Sequence, residues 1–275
     1  MSVPYETLTV RKENHISWVT FENPPINLLD ISMIRDIDQL SLALSEDNTT
    51  RVVVFQSSDP QFFIAHADVE LIRQLPDNVT ERPKQLNLYV QALERIRTLP
   101  MATIGKIAGI ARGGGSEFLL SLDMRFAAIG PTQLSQPEVA LGILPSGSGS
   151  VRLPHLLGRS RALEVSLGCD DFTAEQAERY GYINRALPAE ELDEFVARLA
   201  TRISSFPRAA IESTKVAVDS AIGSPLEGLL EEAHQFNRLL ATEDAKNRLE
   251  KFISLGAQTR KGELALDNII DQLDE

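Results

Sequence analysis

The chain has 275 residues, of which 43% are hydrophobic and 24% are charged, and 39 acidic against 27 basic side chains give a formal net charge of -12. This apolar fraction, with charges of both signs, excludes a mainly disordered chain, and the acidic balance argues against nucleic acid or anionic lipid as partners. The single Cys169 excludes an internal disulfide, and four scattered histidines lack the spacing of a zinc site. An anionic small molecule remains compatible with the charge if it meets a local basic patch.

The first residues and the apolar runs bear on where the protein works. Polar and charged residues occupy residues 1–14, where a signal peptide would need an apolar core. No stretch approaches the roughly 18 apolar residues of a membrane span. With one cysteine and no membrane contact, the sequence predicts a cytoplasmic protein in a reducing compartment.

The first 65 residues alternate short β-rich runs with turn signals. Residues 5–10 and 16–21 are predicted strands of a hairpin, and Asn23-Pro24-Pro25 ends the second strand. Helical spacing of apolar residues follows over 31–45, and 51–56 is typical of a buried strand. A strand, strand, helix, strand order results.

The rest of the chain first repeats this theme and then becomes mostly helical. The predicted elements are a helix over 86–98, an apolar run over 103–110, a helix over 117–122, a buried strand over 125–129, and amphipathic helices over 209–221, 226–241, 244–255 and 264–273. Pro207 marks the change. We therefore predict an α/β core over 1–205, which holds the site, and a C-terminal helical region over 206–275.

Residues 109–120, GIARGGGSEFLL, form the most informative segment. A buried strand leads into three glycines that open an apolar helix, so the backbone can approach a ligand and direct free N–H groups at it. Such a helix start suits developing negative charge. The alternative is tight strand-to-helix packing, with Glu117 favoured only by the first helical turn.

Spacing argues against three other kinds of site. The glycines fit neither G-x-G-x-x-G nor G-x-x-x-x-G-K-[ST], so a nucleotide pyrophosphate site is poorly supported. Ser116 is not in a G-x-S-x-G elbow, because Phe118 stands where the last glycine belongs, and the loop 146–150 fails the same test. A serine hydrolase is therefore improbable.

Two further segments complete a pattern: residues 61–70, QFFIAHADVE, and residues 135–145, SQPEVALGILP. In this order and at these separations, the three segments resemble the crotonase superfamily, the enoyl-CoA hydratase and isomerase family. Its members show F-x-A-G-x-D, then N-G-x-x-x-G-G-G-x-E, then P-E-x-x-x-G-x-x-P. The resemblance covers residues 5 to 255 and implies two perpendicular sheets, built from a spiral of strand-strand-helix units, with C-terminal helices that pack in trimers.

The resemblance also implies a site. The backbone N–H groups of Ala67 and Gly114 would form an oxyanion hole for a thioester oxygen, and Glu117 and Glu138 would be the catalytic carboxyl pair, one activating water and one supplying the α-carbon proton. The implied partner is an acyl-CoA substrate, no other cofactor or metal is needed, and the implied assembly is a homotrimer or a dimer of trimers. Further substrate-binding residues are Ala65, His66, Asp68, Arg73, Gly113, Gly115, Lys251 and Phe252.

Several positions depart from the family pattern. His66 stands at the usual glycine before the oxyanion donor, where either the loop is reshaped or the imidazole contributes its own chemistry. Glu70 replaces a usual lysine for the coenzyme phosphates, and Arg73 one turn later would restore the positive charge. Ala108 and Arg112 replace an Asn and an apolar residue. The resemblance assigns Lys251 and Phe252 only weakly, to the adenine end of the coenzyme in a neighbouring subunit.

Three hypotheses remain open at this point. The paired glutamates favour hydration of a 2-enoyl-CoA, because syn addition of water is best served by two carboxyl groups around one water. Double-bond isomerisation and thioester hydrolysis are the alternatives within the superfamily. A non-catalytic protein that binds coenzyme A is the alternative of a different class, and the glutamate pair argues against it.

Overall fold

The computed structural model describes residues 5–78 and 81–274. The two predicted domains, 1–205 and 206–275, also include residues 1–4, 79, 80 and 275, which lie outside the described residues. The strands are β1 (Leu8–Glu13), β2 (Ile16–Phe21), β3 (Val52–Ser57), β4 (Phe62–Ile64), β5 (Ala102–Ile107), β6 (Ile110–Arg112), β7 (Met124–Ala128), β8 (Gln133–Ser135), β9 (Phe172–Thr173) and β10 (Arg185–Leu187). The helices of the first half are α1 (Ile31–Glu46), α2 (Val69–Arg73), α3 (Leu88–Arg97) and α4 (Gly114–Leu120), followed by a 3-10 turn over Glu138–Leu141. The later helices are α5 (Gly149–Leu157), α6 (Arg159–Gly168), α7 (Ala174–Tyr180), α8 (Ala189–Ser204), α9 (Arg208–Ile222), α10 (Leu226–Leu240), α11 (Glu243–Ser254), α12 (Arg260–Glu263) and α13 (Leu266–Asp271), and a 3-10 turn over Gln272–Asp274 ends the described chain.

Two sheets organise the first half of the chain. The larger has the order β1-β2-β3-β5-β7-β10, and the smaller has the order β4-β6-β8-β9. After the antiparallel hairpin of β1 and β2, the strands from β3 to β8 join the large and the small sheet in alternation, and β9 then joins the small sheet and β10 the large one. The predicted α/β class is therefore confirmed, with two sheets followed by C-terminal helices.

The predicted apolar run over 103–110 is not one element. It divides into β5 and β6, which belong to different sheets. Gly109 stands at the crossing, where a side chain would lie 2.6 Å from the backbone of Gln61. An apolar run cannot reveal such a division, because buried strands of either sheet consist mainly of apolar residues.

A cluster of phenylalanines fixes α4 against both sheets. The Phe118 ring lies 5.2 Å from the Phe21 ring and 5.0 Å from the Phe55 ring, both edge-on, and Phe63 packs in the same cluster. All four side chains are buried. Edge-to-face pairs of this kind add roughly 0.5–1.5 kcal/mol each to the burial of area. The cluster therefore holds the helix that carries Glu117.

The C-terminal helices pack in a different manner. Helices α10 and α11 and the segment from Ala257 to Leu273 share an apolar cluster with Val69 of α2 and with the 3-10 turn that begins at Glu138. Helix α9 contributes no buried side chain. The predicted final helix over 264–273 corresponds to α13, which begins two residues later because Ala265 is not helical, and to the 3-10 turn that follows it, and α12 is a separate short helix before the predicted range.

Candidate functional site

The three sequence motifs meet at the ends of three neighbouring strands. In the small sheet β4, β6 and β8 lie side by side and run parallel, with Ile64 opposite Ala111 and Arg112 opposite Ser135. The carboxyl ends of parallel strands lie at one edge of a sheet. Residues 67, 114–117 and 138, which follow these strands, are therefore brought to the same edge although up to 71 positions separate them.

The backbone around Ala67 directs its N–H group away from the sheet partner. Leu29 pairs with Ala67 in a parallel bridge, in which Leu29 N donates to His66 O at 2.9 Å and Asp68 N donates to Leu29 O at 3.0 Å. In such a bridge the residue between the two bonds points its own N–H to the other side. The Ala67 N–H is thus available to a ligand.

Gly114 lies next to the backbone nitrogen of Ala67. Gly114 is the first residue of α4, where an N–H has no partner inside the helix. A Cβ built on Gly114 would lie 3.5 Å from Ala67 N and 2.8 Å from Leu29 Cδ2. The preceding Gly113 has a φ of +45°, which a residue with a side chain rarely adopts. This turn lets the helix begin at Gly114, three residues before the predicted start, and brings two donors together.

Glu117 projects from α4 toward the loop between the 3-10 turn and α5. Its Oε1 accepts hydrogen bonds from Gly147 N at 2.7 Å and from Gly149 N at 2.8 Å, and its side chain is buried. The two N–H groups at the start of α5 favour the ionised form, but burial outweighs them and raises the pKa of Glu117 to about 7. Glu117 can therefore exchange a proton near neutral pH.

Glu138 opens the 3-10 turn after β8 and lies against the glycine turn, where a Cβ on Gly113 would be 2.6 Å from its Oε1. With its amide nitrogen toward Glu138, Gln136 donates to Glu138 Oε2 at 3.2 Å and accepts from Ser116 Oγ at 3.3 Å. Burial raises the pKa of Glu138 well above its ordinary value, and the nearby charge of Glu117 raises it further. Because two close carboxyl groups resist ionising together, the pair shares a proton over a range of pH.

A third carboxyl group, which the sequence did not single out, belongs to the same cluster. Glu232 of α10 is buried, and its Oε1 accepts from Ser148 N at 2.8 Å, between the two N–H groups that Glu117 holds. Ser148 has a φ of +93°. The two glutamates thus hold a strained turn in place. The signal in the sequence was an acidic residue on the apolar face of a helix, three residues after Leu229 and four before Phe236.

We expect Glu232→Gln to flatten the pH dependence of Tm. Burial, and next the charge of Glu117, raises the pKa of Glu232 in the folded state. As pH rises above 4.5, the unfolded chain releases this proton first, so folding loses stability. Glutamine keeps an acceptor for Ser148 N and cannot ionise. Calorimetric scans from pH 5 to 9 should show a smaller decline of Tm than in the unmodified protein, whereas Glu227→Gln, at an exposed position of α10, should leave the decline unchanged. Equal slopes in all three proteins would contradict the assignment.

Other predicted site residues lie around this centre. Ala65 is buried and its carbonyl accepts from Arg112 N at 3.0 Å, and Asp68 caps α2 by accepting from Glu70 N at 2.9 Å. Gly115 lets α4 approach β4, because a Cβ there would lie 2.2 Å from Ile64 O.

Two of the predicted basic and aromatic residues have partners within the chain. Arg73 Nη1 lies 3.0 Å from Glu70 Oε1, so the cation expected to compensate for the missing lysine is paired with the acidic residue that replaced it. Phe252 is 1% exposed and packs 5.9 Å from the His66 ring, so it belongs to the core of its own chain and is not presented to a neighbouring subunit. Lys251 Nζ donates to Leu273 O at 3.4 Å.

His66 stands at the position of the family's usual glycine. Among the described residues it is not one of those with a positive φ, so its backbone is not left-handed. Its ring is buried and turned toward Glu263 of α12, with Nε2 at 2.9 Å from Oε1. The imidazole therefore faces the C-terminal segment. Arg112 is also buried, and its guanidinium pairs with Asp171 at 2.8 Å.

Two further features of the described residues, 5–78 and 81–274, concern metal binding and membrane spans. Within them no group of three or more His, Cys, Asp or Glu side chains is placed to hold a metal ion. None of their helices has the length and apolar character needed to cross a bilayer.

Comparison with known proteins agrees with this geometry. Residues 11–259 match the family model described as enoyl-CoA hydratase/isomerase. The chain belongs to the enoyl-CoA hydratase/isomerase family. One curated relative, a probable enoyl-CoA hydratase of Mycobacterium bovis, is 31% identical over 253 residues, which cover 90% of this chain and 95% of the relative. The crotonyl-CoA hydratase of Syntrophomonas wolfei is 28% identical over 90% of this chain and 95% of its own length.

Solved structures of the family share the architecture. A protein of Streptomyces avermitilis, provisionally named an enoyl-CoA hydratase, superposes with a TM-score of 0.91 at 38% identity, covering 98% of this chain and 99% of the other. An enoyl-CoA hydratase from Mycobacterium avium superposes with a TM-score of 0.80 at 22% identity, covering 92% and 97%, and supports the fold. The predicted membership in this enzyme family is confirmed, and membership implies an acyl-CoA substrate.

Proposed function

We propose that this member of the enoyl-CoA hydratase/isomerase family adds water across the double bond of a 2-enoyl-CoA. One observation carries the proposal: the carboxyl groups of Glu117 and Glu138 lie close together in a buried site. The backbones of Ala67 and Gly114, which are neighbours, belong to the same site. A single carboxyl group would suffice to move a proton in isomerisation. Addition of water requires a base for the water and an acid for the carbon.

The two N–H groups would bind the thioester oxygen. As water adds to the β-carbon, the electron pair of the double bond moves toward the α-carbon and the thioester carbonyl, and negative charge grows on its oxygen. Preoriented donors stabilise that charge without reorganisation, and one such donor is worth roughly 100-fold to 1000-fold in rate. The dipole of the seven-residue α4 acts in the same direction.

The pKa directions suggest how the carboxyl groups divide the work. Glu117, with a pKa of about 7, ionises first and would take a proton from water. Glu138, whose pKa is raised further by that charge, would keep its proton and deliver it to the α-carbon. The water oxygen then bonds to the β-carbon, and a proton returns from Glu117 to Glu138 to close the cycle. This scheme uses water and groups of the chain, with no cofactor other than the coenzyme A of the substrate.

The proposal predicts loss of the conjugated enoyl-thioester absorbance when the protein is mixed with crotonyl-CoA or a longer 2-enoyl-CoA. Mass spectrometry of the product should show a gain of one water. The assay uses a panel of 2-enoyl-CoA substrates that differ in chain length. A matched reaction with Glu117→Gln should proceed at least 100-fold more slowly if the carboxyl group transfers the proton.

The same assay separates the alternatives. A product of unchanged mass with a shifted double bond would replace hydration by isomerisation. Free coenzyme A would replace it by thioester hydrolysis. Binding of every acyl-CoA with turnover of none would favour the non-catalytic hypothesis and refute the proposal.

The assembly remains a prediction that the single chain leaves open. We propose a homotrimer or a dimer of trimers formed through the C-terminal helices. In support, α9 exposes Val216, Val218 and Ile222 and covers an apolar cavity of about 690 Å³ against the core. Sedimentation velocity would give the mass of the assembly and decide between one, three and six chains. The division of the chain at residue 205 and the cytoplasmic location also remain predictions.

A further inference from the structure

The C-terminal segment from Ala257 to Glu263 contacts the oxyanion loop, residues 66–69, at several points. Glu263 lies 197 positions from His66 in the sequence, and Gln258 lies 190 positions from Asp68, yet both pairs are hydrogen-bonded. The segment stands outside the motifs of the site. Gln258 and Glu263 contact the loop that carries the Ala67 N–H, whereas Arg260 of the same segment binds Asp59, Gln61 and Pro25 O.

The first contact passes through His66. Its Nδ1 lies 2.8 Å from Ala67 O, and its Nε2 lies 2.9 Å from Glu263 Oε1. A carbonyl oxygen only accepts, so Nδ1 must carry a proton and donate it. Glu263 Oε1 also accepts from Gln258 N at 2.8 Å. Two donors therefore converge on this one carboxylate oxygen, and the imidazole is held between Ala67 and α12.

The charge state of the pair follows from its surroundings. The ionisable groups that face His66 are Glu263 of α12 and Arg112 of β6, and the Phe252 ring of α11 covers another side. Burial alone would lower the pKa of His66, but the Glu263 carboxylate outweighs it and the net direction is upward. Burial alone would raise the pKa of Glu263, and the His66 charge reverses this too. The pair is therefore an imidazolium and a carboxylate.

The second contact is made by one amide side chain. Gln258 Oε1 accepts from Val69 N at 2.6 Å, and its Nε2 donates to Asp68 Oδ1 at 2.9 Å. Arg112 Nη1 donates to Glu263 O at 2.7 Å and so fixes the end of the segment. Each residue from His66 to Val69 thus has a bond to this segment or to a side chain that the segment holds.

We propose that Gln258 and Glu263 are positioning residues for the oxyanion hole and act through His66, Asp68 and Val69. The proposal rests on the proposed function, because it assigns the Ala67 N–H to the thioester oxygen. A donor must lie within about 0.5 Å of its productive position, and a misplacement of about 1 Å can cost roughly 100-fold in rate. The C-terminal segment then belongs to the active site although no atom of it touches the reacting carbons.

The first test is Gln258→Ala, which removes both bonds to the loop and leaves no buried charge. We expect kcat to fall about 10-fold or more while KM changes less than about 2-fold, because the donor acts mainly on the transition state. Hydrogen exchange of the peptide over 66–70 should become faster, since the Val69 N–H loses its acceptor. Asp271→Asn, a change at an exposed position of α13 outside this segment, should alter neither quantity.

The second test is Glu263→Gln, followed from pH 6 to pH 9. The amide oxygen can accept from Gln258 N, but without the carboxylate the pKa of His66 falls. The ratio of variant to unmodified kcat should therefore decrease as pH rises through the lowered His66 pKa, whereas the common effect of Glu117 cancels in the ratio. The raised pKa of His66 in the unmodified protein also means that stability from the pair is complete below the unfolded value of about 6.5 and is lost as pH rises through the folded value.

The outcomes separate this inference from the proposed function. An unmodified protein that turns over no enoyl-CoA would refute the proposed function, and hydrogen exchange would still report whether the segment holds the loop. Wild-type kcat and wild-type exchange in Gln258→Ala would overturn the inference while hydration stood. If Glu263→Gln does not fold, the Gln258→Ala result decides alone. A lower Tm of Gln258→Ala with an unchanged kcat of its folded fraction would also overturn the inference, because a contact with a purely structural role would have this effect.

Discussion

Replacing Glu117 with Gln is expected to lower kcat for hydration by roughly 100-fold to 10,000-fold, the usual contribution of a positioned proton-transfer group. The amide oxygen can still accept the hydrogen bonds of Gly147 N and Gly149 N, so the loop before α5 should keep its conformation. KM should change little. The measurement is steady-state kinetics with the best substrate of the enoyl-CoA panel, and Glu138→Gln is expected to cause a loss in the same range.

The pH profile distinguishes the two carboxyl groups. In the unmodified protein kcat/KM should rise with pH through about 7 as Glu117 ionises, and fall at higher pH as Glu138 loses its proton. The rising limb should disappear in Glu117→Gln. Because this variant removes a carboxyl group that is costly to ionise when buried, its Tm at pH 8 should equal or exceed that of the unmodified protein. Glu243→Gln, at an exposed position of α11, serves as the control; a rising limb that persists in Glu117→Gln would assign the ionisation to another group.

Removing the Gly114 donor is the second change with a large expected effect. Proline suits the first position of a helix and lacks the N–H, so Gly114→Pro deletes one member of the proposed oxyanion hole and preserves the start of α4. We expect kcat/KM to fall roughly 100-fold to 1000-fold relative to Gly114→Ala. The comparison is made at one pH with the same enoyl-CoA.

Gly114→Ala is the matched reference because it adds the same Cβ and keeps the N–H. That Cβ would lie 2.8 Å from Leu29 Cδ2 and 3.3 Å from Ala67 Cβ, so the flexible end of the Leu29 side chain must shift and Ala67 must move by a few tenths of an ångström in both variants. Far-ultraviolet circular dichroism and Tm should be alike in the two variants. Similar activity of both variants would remove Gly114 N–H from the mechanism.

Much of the fold was predictable because its local patterns are strong. The strand over 16–21 has the predicted bounds, and helix α1 differs from its prediction by one residue. Helix α4 was predicted to begin at Glu117, because glycine has a low helix propensity. It begins at Gly114, because the close approach of α4 to β4 requires glycine at Gly115. The division of the run over 103–110 between two sheets could not be predicted from apolarity alone.

The site was predictable to the extent that its residues lie in contiguous motifs. Glu117 and Glu138, assigned by resemblance, do come together with Ala67 and Gly114 in the structure, and their catalytic roles remain a proposal. Glu232 and Glu263 were missed, because each enters its cluster from a distant helix through a contact with one or two residues. A single acidic side chain in an amphipathic helix carries little signal until its neighbours are known.

The sequence by itself determined the α/β class, the family and the residues that end each strand of the site, because these depend on local spacing and on motifs within a dozen residues. Only the tertiary structure decided that Arg73 pairs with Glu70, that Phe252 belongs to the core, and that His66 faces Glu263. The physical reason is the same in each case. The free energy of a charged or aromatic side chain depends on what surrounds it, and parallel strands and returning helices bring those surroundings from positions far along the chain.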